Sequence, residues 1–439
     1  MKLLNLKLDN FRGVEEANID FNGNPAIIYG VNGMGKSTIL HACNLLFSRI
    51  FKALTKLDLG YGRDFQIEES DIKVGENKCQ IDIEISLEGN QYAYFRGAER
   101  GGKRVHSTKD LRRIERDVQR LYLGDFVSIK EGEEFDGNEE TPEKILVLND
   151  HDIPIYATYS VNRYVVDRFD KSEKDENLVG KMEAWRDIFN PTINFRLFFE
   201  WFRGRQEYEN SKKVEDESFE DAQLSAVRKA VLKILDNDFS DIKIRITDDD
   251  AQMIAVKHGT ELSIAQLSEG EKCVLAMTGD LARKLAIANP KRENPLEGEG
   301  IVLIDEVDLH LHPTWQGRIM PLLINTFPNI QFIVTTHSPK ILGEIAGEAS
   351  IFELYEEDGN IKVRKQPSMS GWDVDYILQT FMHTKTLHEE TEALIEKMYQ
   401  YIDNGQFDEA EELANELAQM TDETNINVVR ARTLIHRNR

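Results

Sequence analysis

The stretch Gly30-Val31-Asn32-Gly33-Met34-Gly35-Lys36-Ser37 decides the fold, because it matches the pattern G-x-x-x-x-G-K-[ST]. Glycines at these positions let backbone amides close around phosphate oxygens. In such a loop the lysine reaches the terminal phosphates and the serine hydroxyl binds Mg²⁺. An apolar run precedes the loop and a helical pattern follows it, which is the order that this mechanism requires. The residues predicted to bind the nucleotide are Asn32, Gly33, Gly35, Lys36, Ser37 and Thr38.

A second apolar strand, Gly300–Ile304, ends in the carboxylates Asp305 and Glu306. In ATP-hydrolysing sites of this kind, one carboxylate holds Mg²⁺ through water and the other activates the attacking water. We therefore expect Asp305 to share the metal with Ser37, and Glu306 to be the catalytic base. The structural alternative is a buried strand that simply has two exposed acids at its end.

Two polar residues downstream extend this predicted site. His337 follows the apolar strand Phe332–Val334 and is interpreted as a catalytic switch histidine that senses the γ-phosphate by hydrogen bonding. Asp308, in the string DLHLHP, fits a D-loop. The histidines of that string, His310 and His312, have no further ligands near them in the sequence, so a metal is not expected there.

A third segment, Leu267-Ser268-Glu269-Gly270-Glu271-Lys272, resembles the ABC signature, usually LSGGQ. A serine hydroxyl at a helix N-terminus suits a γ-phosphate. In ABC proteins this loop completes the site of a second subunit, so Ser268, Gly270 and Glu271 are assigned in trans. The segment departs from the common form at Glu269 and Glu271. The alternative is an ordinary N-capped helix.

The order NFRG (Asn10–Gly13), GVNGMGKST, LSEGEK, IVLIDEVDLHLHP and TTHSP resembles the ABC-type ATPases related to RecF, SMC and OLD proteins. This resemblance implies an α/β fold: an ABC-type P-loop ATPase with a mixed sheet, an inserted helical subdomain and a C-terminal helical extension. It also implies ATP and Mg²⁺ as cofactors and a head-to-tail homodimer or higher assembly. Arg12, beside the strand that leads into the phosphate loop, would then also contact the nucleotide. The position of the Q-loop stays open between Gln66 and Gln80.

Composition and patterning divide the chain of 439 residues. We expect an N-terminal ATPase lobe over 1–95 and an inserted, mainly helical region over 96–235, whose strands near 145–160 return to the core. A C-terminal ATPase lobe over 236–365 and a helical extension over 366–439 would follow. The net charge of −24 argues against nucleic-acid binding over the whole surface. The three cysteines are isolated, and neither a secretory signal nor an apolar membrane run is evident. A cytoplasmic protein without a membrane partner is therefore predicted.

Two shorter strings, Tyr156–Arg163 (YATYSVNR) and Phe198–Arg205 (FFEWFRGR), resemble the PtuA family of Septu-type anti-phage defence. That resemblance implies an ATPase, slow or regulated, that controls a partner HNH nuclease of the PtuB type. In the retron setting it also implies a reverse transcriptase with its RNA–DNA hybrid. One alternative is a RecF/SMC-like DNA-repair ATPase that acts directly on DNA. Another is the nucleotide-binding subunit of a membrane transporter, which the NFRG motif and the large insertion disfavour.

Two further regions carry open interpretations. Residues 96–120 hold nine basic and four acidic residues, and we expect contacts with nucleic-acid phosphates there unless they form only a solvated helix face. The tail contains an acidic helix over Glu389–Glu416, which either docks a partner or packs against its own ATPase. Asp373 and Asp375 form a DxD pair, but the surrounding helical pattern disfavours a Toprim nuclease. The basic residues proposed as contacts are Arg104, Arg112, Arg113 and Arg116.

Overall fold

The structure is a computed structural model that divides the chain into two compact units, Met1–Gly371 and Trp372–Arg439. The finer division of the first unit at residues 95 and 235 stays a prediction. The residues that the structure describes are 1–55, 66–128, 144–148, 151–161, 180–190, 192–235, 238–246, 251–384 and 388–439. Asn162 and Arg163, at the end of the string YATYSVNR, lie outside them.

An eleven-stranded mixed sheet dominates the described part of the first unit. Its strand order is β6-β5-β4-β1-β2-β16-β15-β3-β14-β13-β9. A three-stranded sheet has the order β10-β11-β12, and β7 pairs with β8. The strands are β1 (Lys2–Phe11), β2 (Val14–Asp20), β3 (Ala26–Gly30), β4 (Lys78–Leu87), β5 (Asn90–Glu99), β6 (Lys103–His106), β7 (Leu123–Ser128), β8 (Lys144–Leu148), β9 (Ile155–Tyr159), β10 (Phe239–Ile246), β11 (Ala251–Lys257), β12 (Thr260–Ser263), β13 (Gly300–Ile304), β14 (Ile330–Thr336), β15 (Ser350–Glu357) and β16 (Asn360–Gln366).

In the first unit, helices flank the sheet, and one of them, α5, runs through the core. In α5, nearly every residue from Cys273 to Ala288 is buried, as expected for a helix enclosed on all sides. The helices are α1 (Lys36–Thr55), α2 (Thr108–Tyr122), α3 (Phe195–Lys213), α4 (Ala222–Ile234), α5 (Glu269–Ala288), α6 (Pro313–Thr326), α7 (Pro339–Glu344), α8 (Val374–Tyr376), α9 (Glu389–Asp403), α10 (Phe407–Met420) and α11 (Ile426–Asn438).

The strands β15, β3, β14, β13 and β9 run parallel to one another in the sheet. All residues of β3 and β13 are buried, and both strands are apolar throughout, as the centre of a parallel sheet requires. The antiparallel hairpin β4–β5 instead alternates, with Ile81, Ile83 and Ile85 buried and Glu84 exposed. The predicted α/β class with a mixed sheet is confirmed.

Parallel strands bring their carboxyl ends to one edge of the sheet, where ligands bind in such folds. Gly30 ends β3 in direct contact with the neighbouring strand: a Cβ there would lie 2.4 Å from the carbonyl oxygen of Leu354. Only glycine fits this position without displacing the main chain. The sequence-predicted phosphate loop therefore leaves the sheet at a point where two neighbouring strands are in close backbone contact.

The C-terminal unit has a hydrophobic core of its own, formed by α9, α10 and α11. The prediction of one acidic helix over Glu389–Glu416 is wrong, because the chain turns between α9 and α10. Gly405 lies at this turn with φ +73°, the left-handed conformation that commonly ends a helix at glycine. Ala414 and Leu417 on α10 are buried together with Met398 on α9.

Candidate functional site

The phosphate loop begins at the end of β3 and continues directly into α1. Gly33 and Gly35 have φ angles of +85° and +79°, values that glycine adopts without strain. Asn32 is exposed, and the Thr38 amide donates to the Gly35 carbonyl at 2.9 Å. The loop amides therefore precede the N-terminus of a twenty-residue helix, where the helix dipole favours an anion.

Lys36 crosses back over the loop. Its Nζ donates to the carbonyl oxygens of Gly30 at 2.9 Å and Val31 at 3.2 Å, and the side chain is buried. Burial lowers the pKa of Lys36, although the carboxylates Glu306, Asp305 and Asp308 act in the opposite direction. A buried cation thus stands beside three carboxylates at the mouth of the loop.

Asp305 connects the phosphate loop to two strands. Its Oδ2 accepts a hydrogen bond from Ser37 Oγ at 2.7 Å, and its Oδ1 accepts one from Thr335 Oγ1 at 2.5 Å. Hydroxyl and carboxylate oxygens are the ligand types that Mg²⁺ selects. The paired oxygens of Ser37 and Asp305 therefore fit the metal role predicted for them.

Glu306 sits in an unusual backbone conformation. Its φ is +49°, which costs a residue with a side chain about 1–2 kcal/mol. The Glu306 amide donates to Thr335 Oγ1 at 2.7 Å, and the next amide, of Val307, donates to the Thr335 carbonyl at 2.9 Å. Strained residues are concentrated at functional sites, and here the strain falls on the predicted catalytic base.

His337 and Asp308 approach each other at the same edge. Asp308 Oδ1 accepts hydrogen bonds from Thr336 Oγ1 at 2.6 Å and from the His337 amide at 3.4 Å. Burial and the Lys36 charge lower the pKa of His337, and nearby carboxylates including Glu306 oppose this. The lowered pKa favours the neutral imidazole, which has one nitrogen to donate and one to accept.

The predicted signature segment opens α5. Ser268 is the N-cap: its Oγ accepts from the Glu271 amide at 3.3 Å, while Glu271 Oε2 accepts from the Ser268 amide at 2.9 Å. This reciprocal capping box accounts for glutamate at position 271. Burial alone would raise the pKa of Glu271, but hydrogen bonds from Lys257 and Ser268 hold it below its usual value. A Cβ on Gly270 would lie 2.6 Å from the His310 carbonyl oxygen.

Arg12 is held by a residue that the sequence analysis missed. Its Nε donates to Asp71 Oδ1 at 2.7 Å, its amide donates to the Asp71 carbonyl at 2.7 Å, and its φ is +52°. The Phe11 ring lies under the Arg12 guanidinium and also stacks with the imidazole of His41, which is on α1. No sequence signal links Arg12 with Asp71, because the two are far apart in the chain and joined only by the fold.

The two proposed Q-loop residues and the predicted basic residues lie on different secondary-structure elements. Gln80 is on β4 and donates to Asp82 at 3.0 Å, whereas Gln66 precedes a short 3₁₀ turn. The basic residues lie on β6 and on α2. The opposite face of α2 is apolar and buries Leu111, Ile114 and Val118. Exposed basic side chains on these two elements are Lys103, Arg104, Lys109, Arg112, Arg113, Arg116 and Arg120.

Comparison with known proteins places the chain among defence ATPases. The family described as "AAA domain, putative AbiEii toxin, Type IV TA system" matches residues 26–343. The Retron Vc95 probable ATPase of Vibrio cholerae serotype O1 biovar El Tor is 30% identical, over 88% of this chain and 80% of that protein. The Retron Ec83 probable ATPase of Escherichia coli is 28% identical, over 91% and 81%. The Septu protein PtuA of Bacillus thuringiensis is 25% identical, over 91% and 92%.

The described residues lack two further features. Among them, no helix combines the length and the apolar character that a membrane crossing needs. The part of the chain that the structure describes has no group of three or more His, Cys, Asp or Glu side chains placed to hold a metal ion. Asp373, in the DxD string, caps the single-turn helix α8 by accepting from the Tyr376 amide, so this string lies on a helix.

Proposed function

We propose, because the chain belongs to the PtuA-like ATPases of anti-phage defence, that it hydrolyses ATP at Lys36, Asp305 and Glu306 and thereby controls a partner HNH nuclease. One observation carries this proposal. The phosphate loop, both carboxylates and His337 come from three adjacent parallel strands and meet at one edge of the sheet. Enzymes catalyse phosphoryl transfer mainly by positioning the reactants and stabilising charge. The groups that can do both are close together at this edge.

Each side chain at the edge has a distinct role in the proposal. The loop amides and Lys36 bind the β- and γ-phosphates of ATP, and Ser37 with Asp305 holds Mg²⁺, which neutralises phosphate charge when bound. Glu306 accepts the proton of the attacking water. The neutral imidazole of His337 donates a hydrogen bond to the γ-phosphate. Its lowered pKa favours the uncharged form. The contact therefore depends on the orientation of the hydrogen bond more than on ionic attraction.

The proposed dimer is head to tail. Ser268 is exposed at the start of a twenty-residue helix, and the backbone amides of such an N-terminus attract anions. Gly270 keeps this helix start in contact with the His310 backbone, two residues from Asp308. Ser268, Gly270, Glu271 and Asp308 would thus approach the nucleotide bound by a second subunit together.

Two substitutions test the nucleotide site directly. Lys36→Ala should abolish ATP binding, because it removes the cation that faces the phosphates. Glu306→Gln should retain binding, reduce kcat about 10²–10⁴-fold and trap the closed dimer, measurable by native mass spectrometry in ATP. Glu293→Gln, at an exposed loop carboxylate, is the matched control. Normal hydrolysis in both Lys36→Ala and Glu306→Gln would refute the site assignment.

The nuclease is proposed in trans. A Toprim centre presents its DxD carboxylates from a strand to a divalent metal, whereas Asp373 here caps a helix. The relatives named for the retron and Septu systems support a defence complex. The test is the native mass and composition of the tagged chain, expressed in ATP with its genomic neighbours. An HNH protein in the complex, with or without a reverse transcriptase and nucleic acid, would support the proposal.

A DNA-repair ATPase that acts directly on DNA is the second candidate, and the basic face of α2 favours it. Arg112 and Arg116 are exposed one turn apart, and Arg113 lies over the Tyr92 ring at 5.5 Å. A homodimer that binds DNA without a partner in the mass measurement would favour this candidate over nuclease control.

Direct nucleic-acid contact is tested by reversing charge on α2. Arg112→Glu with Arg113→Glu should weaken binding of a duplex or an RNA–DNA hybrid and lower the salt slope by roughly 0.9 for each lost phosphate contact. Arg203→Glu with Lys212→Glu, at two solvent-accessible basic residues on α3, makes the same change in net charge away from α2. An unchanged affinity and an unchanged slope would remove α2 from the interface.

A further inference from the structure

Thr335 is a buried polar residue near the end of β14, which closes with the threonine pair Thr335 and Thr336. The residues before it, Phe332, Ile333 and Val334, are fully buried and apolar, and Thr335 itself has no exposed surface. A hydroxyl in such a place carries a desolvation cost unless it is hydrogen-bonded. A valine would fill nearly the same space without that cost, so packing alone does not call for threonine here.

The single hydroxyl of Thr335 makes two hydrogen bonds, both to the predicted catalytic segment. Oγ1 donates its proton to Asp305 Oδ1 at 2.5 Å and accepts from the Glu306 amide at 2.7 Å. A hydroxyl has one proton to donate and two lone pairs. The hydroxyl proton is therefore used in the bond to the Asp305 carboxylate, and one lone pair is used in the bond from the Glu306 amide.

These two bonds have separate consequences for the two carboxylates. With Oδ1 bound by Thr335, the other oxygen of Asp305 is the one that meets Ser37 Oγ at 2.7 Å. With its amide bound, Glu306 is held in the left-handed conformation at φ +49°. The Thr335 carbonyl supports the same turn by accepting from the Val307 amide at 2.9 Å. One residue thus fixes which oxygen faces the metal position and where the Glu306 side chain leaves the main chain.

The geometry points to Thr335 as a positioning residue for the ATPase reaction, acting through Asp305 and Glu306 without touching the nucleotide. The inference rests on the proposed function, since it gives the carboxylates the roles proposed there. It adds that the reactivity of Glu306 depends on a hydroxyl from the neighbouring strand β14. ATP binding through Lys36 and the loop amides does not depend on that hydroxyl.

Thr335→Val removes both hydrogen bonds and nearly preserves the side-chain shape. We expect kcat to fall about 10–100-fold, the effect of losing a group that orients a metal-site carboxylate, and the Mg²⁺ concentration for half-maximal rate to rise. The affinity for ATP should change by less than about threefold. Thr335→Ser, which retains the hydroxyl, should restore most of kcat. The matched control is Thr326→Val, because Thr326 is also buried and its hydroxyl has no hydrogen-bond partner.

A second pair keeps the test decisive if Thr335→Val does not fold. Thr335→Ser and Thr335→Ala both lack the methyl group and differ only in the hydroxyl, so Ser should exceed Ala at least tenfold in kcat. Equal rates in that pair, or a normal kcat in folded Thr335→Val, would overturn the inference. Normal hydrolysis in both Glu306→Gln and Lys36→Ala would instead refute the proposed site itself. If Thr335→Val hydrolyses ATP at the wild-type rate while Glu306→Gln is inactive, only the role of Thr335 is refuted.

Discussion

His41 shows how one side chain near the phosphate loop couples to pH. Burial lowers its pKa to about 4, and the neighbouring Arg12 charge acts in the same direction, whereas Asp71 opposes it. The imidazole stacks on Phe11 with ring centroids 6.3 Å apart. The folded protein therefore holds His41 neutral at pH values where an unfolded chain, with an ordinary pKa near 6.5, would protonate it.

The sign of the resulting pH dependence follows from proton linkage. Between pH 6.5 and about 4 the unfolded state binds more protons at this position, so stability is lost as pH falls through that window. We expect His41→Phe, which keeps the stacking but cannot protonate, to reduce the loss in urea midpoint between pH 7 and pH 5. His258→Asn, at an exposed turn with φ +48°, should leave the loss as in wild type. Equal pH dependence in His41→Phe and wild type would contradict this account.

At the scale of elements, the N-terminus of α5 is held by a backbone contact at Gly270. Alanine has the higher helix propensity, so a free helix would gain from the substitution. Here a Cβ would meet the His310 carbonyl at 2.6 Å, and this main-chain atom cannot move away as a side chain would. The contact therefore sets the distance between α5 and the segment that carries Asp308.

Two glycine substitutions separate propensity from packing. Gly270→Ala should lower stability by about 1–3 kcal/mol through overpacking and reduce ATP hydrolysis. Gly204→Ala, inside α3 with open space around its Cβ position, should raise stability by about 0.5–1 kcal/mol without changing hydrolysis. Thermal midpoints and steady-state rates of both variants measure this. A stabilised Gly270→Ala would show that α5 moves freely against His310.

Sequence patterns predicted the elements whose signals are local. The phosphate loop and the carboxylates after Ile304 could be recognised because an apolar strand precedes each of them. Thr335 could not, since a threonine in a β-branched run is typical of any strand. Nor could the pairing of Arg12 with Asp71, which depends on how distant segments meet. The break at Gly405 was missed because the acidic periodicity continues on both sides of it.

At the scale of the whole molecule, the two units differ in how they form their cores. The first unit is built on a sheet of eleven strands in its described part. The second buries Ile402, Leu417, Val428 and Ile435 among its own three helices. A unit with an internal core can fold as a module. The two sequence interpretations of the tail, docking a partner or packing on the ATPase, therefore concern the outer surface of this module.

This arrangement changes which truncation is informative. Deleting 421–439 removes α11, and with it Val428, Ala431 and Ile435 from the core of the C-terminal unit. We expect that deletion to unfold the unit and to expose the apolar faces of α9 and α10. Partner loss in this variant would then reflect misfolding, because the remaining helices cannot bury their own apolar surface.

Ending the chain at Gly371 removes the C-terminal unit as a whole. If the unit docks the partner, the shortened chain should stay monodisperse, retain the ATP affinity and hydrolysis rate of the full chain, and fail to retain the HNH protein on copurification. Its matched comparison is the 421–439 deletion, which should show a lower thermal midpoint or aggregation. A shortened chain that is insoluble would support packing against the ATPase. One that is soluble and still retains the nuclease would move the docking surface to the first unit.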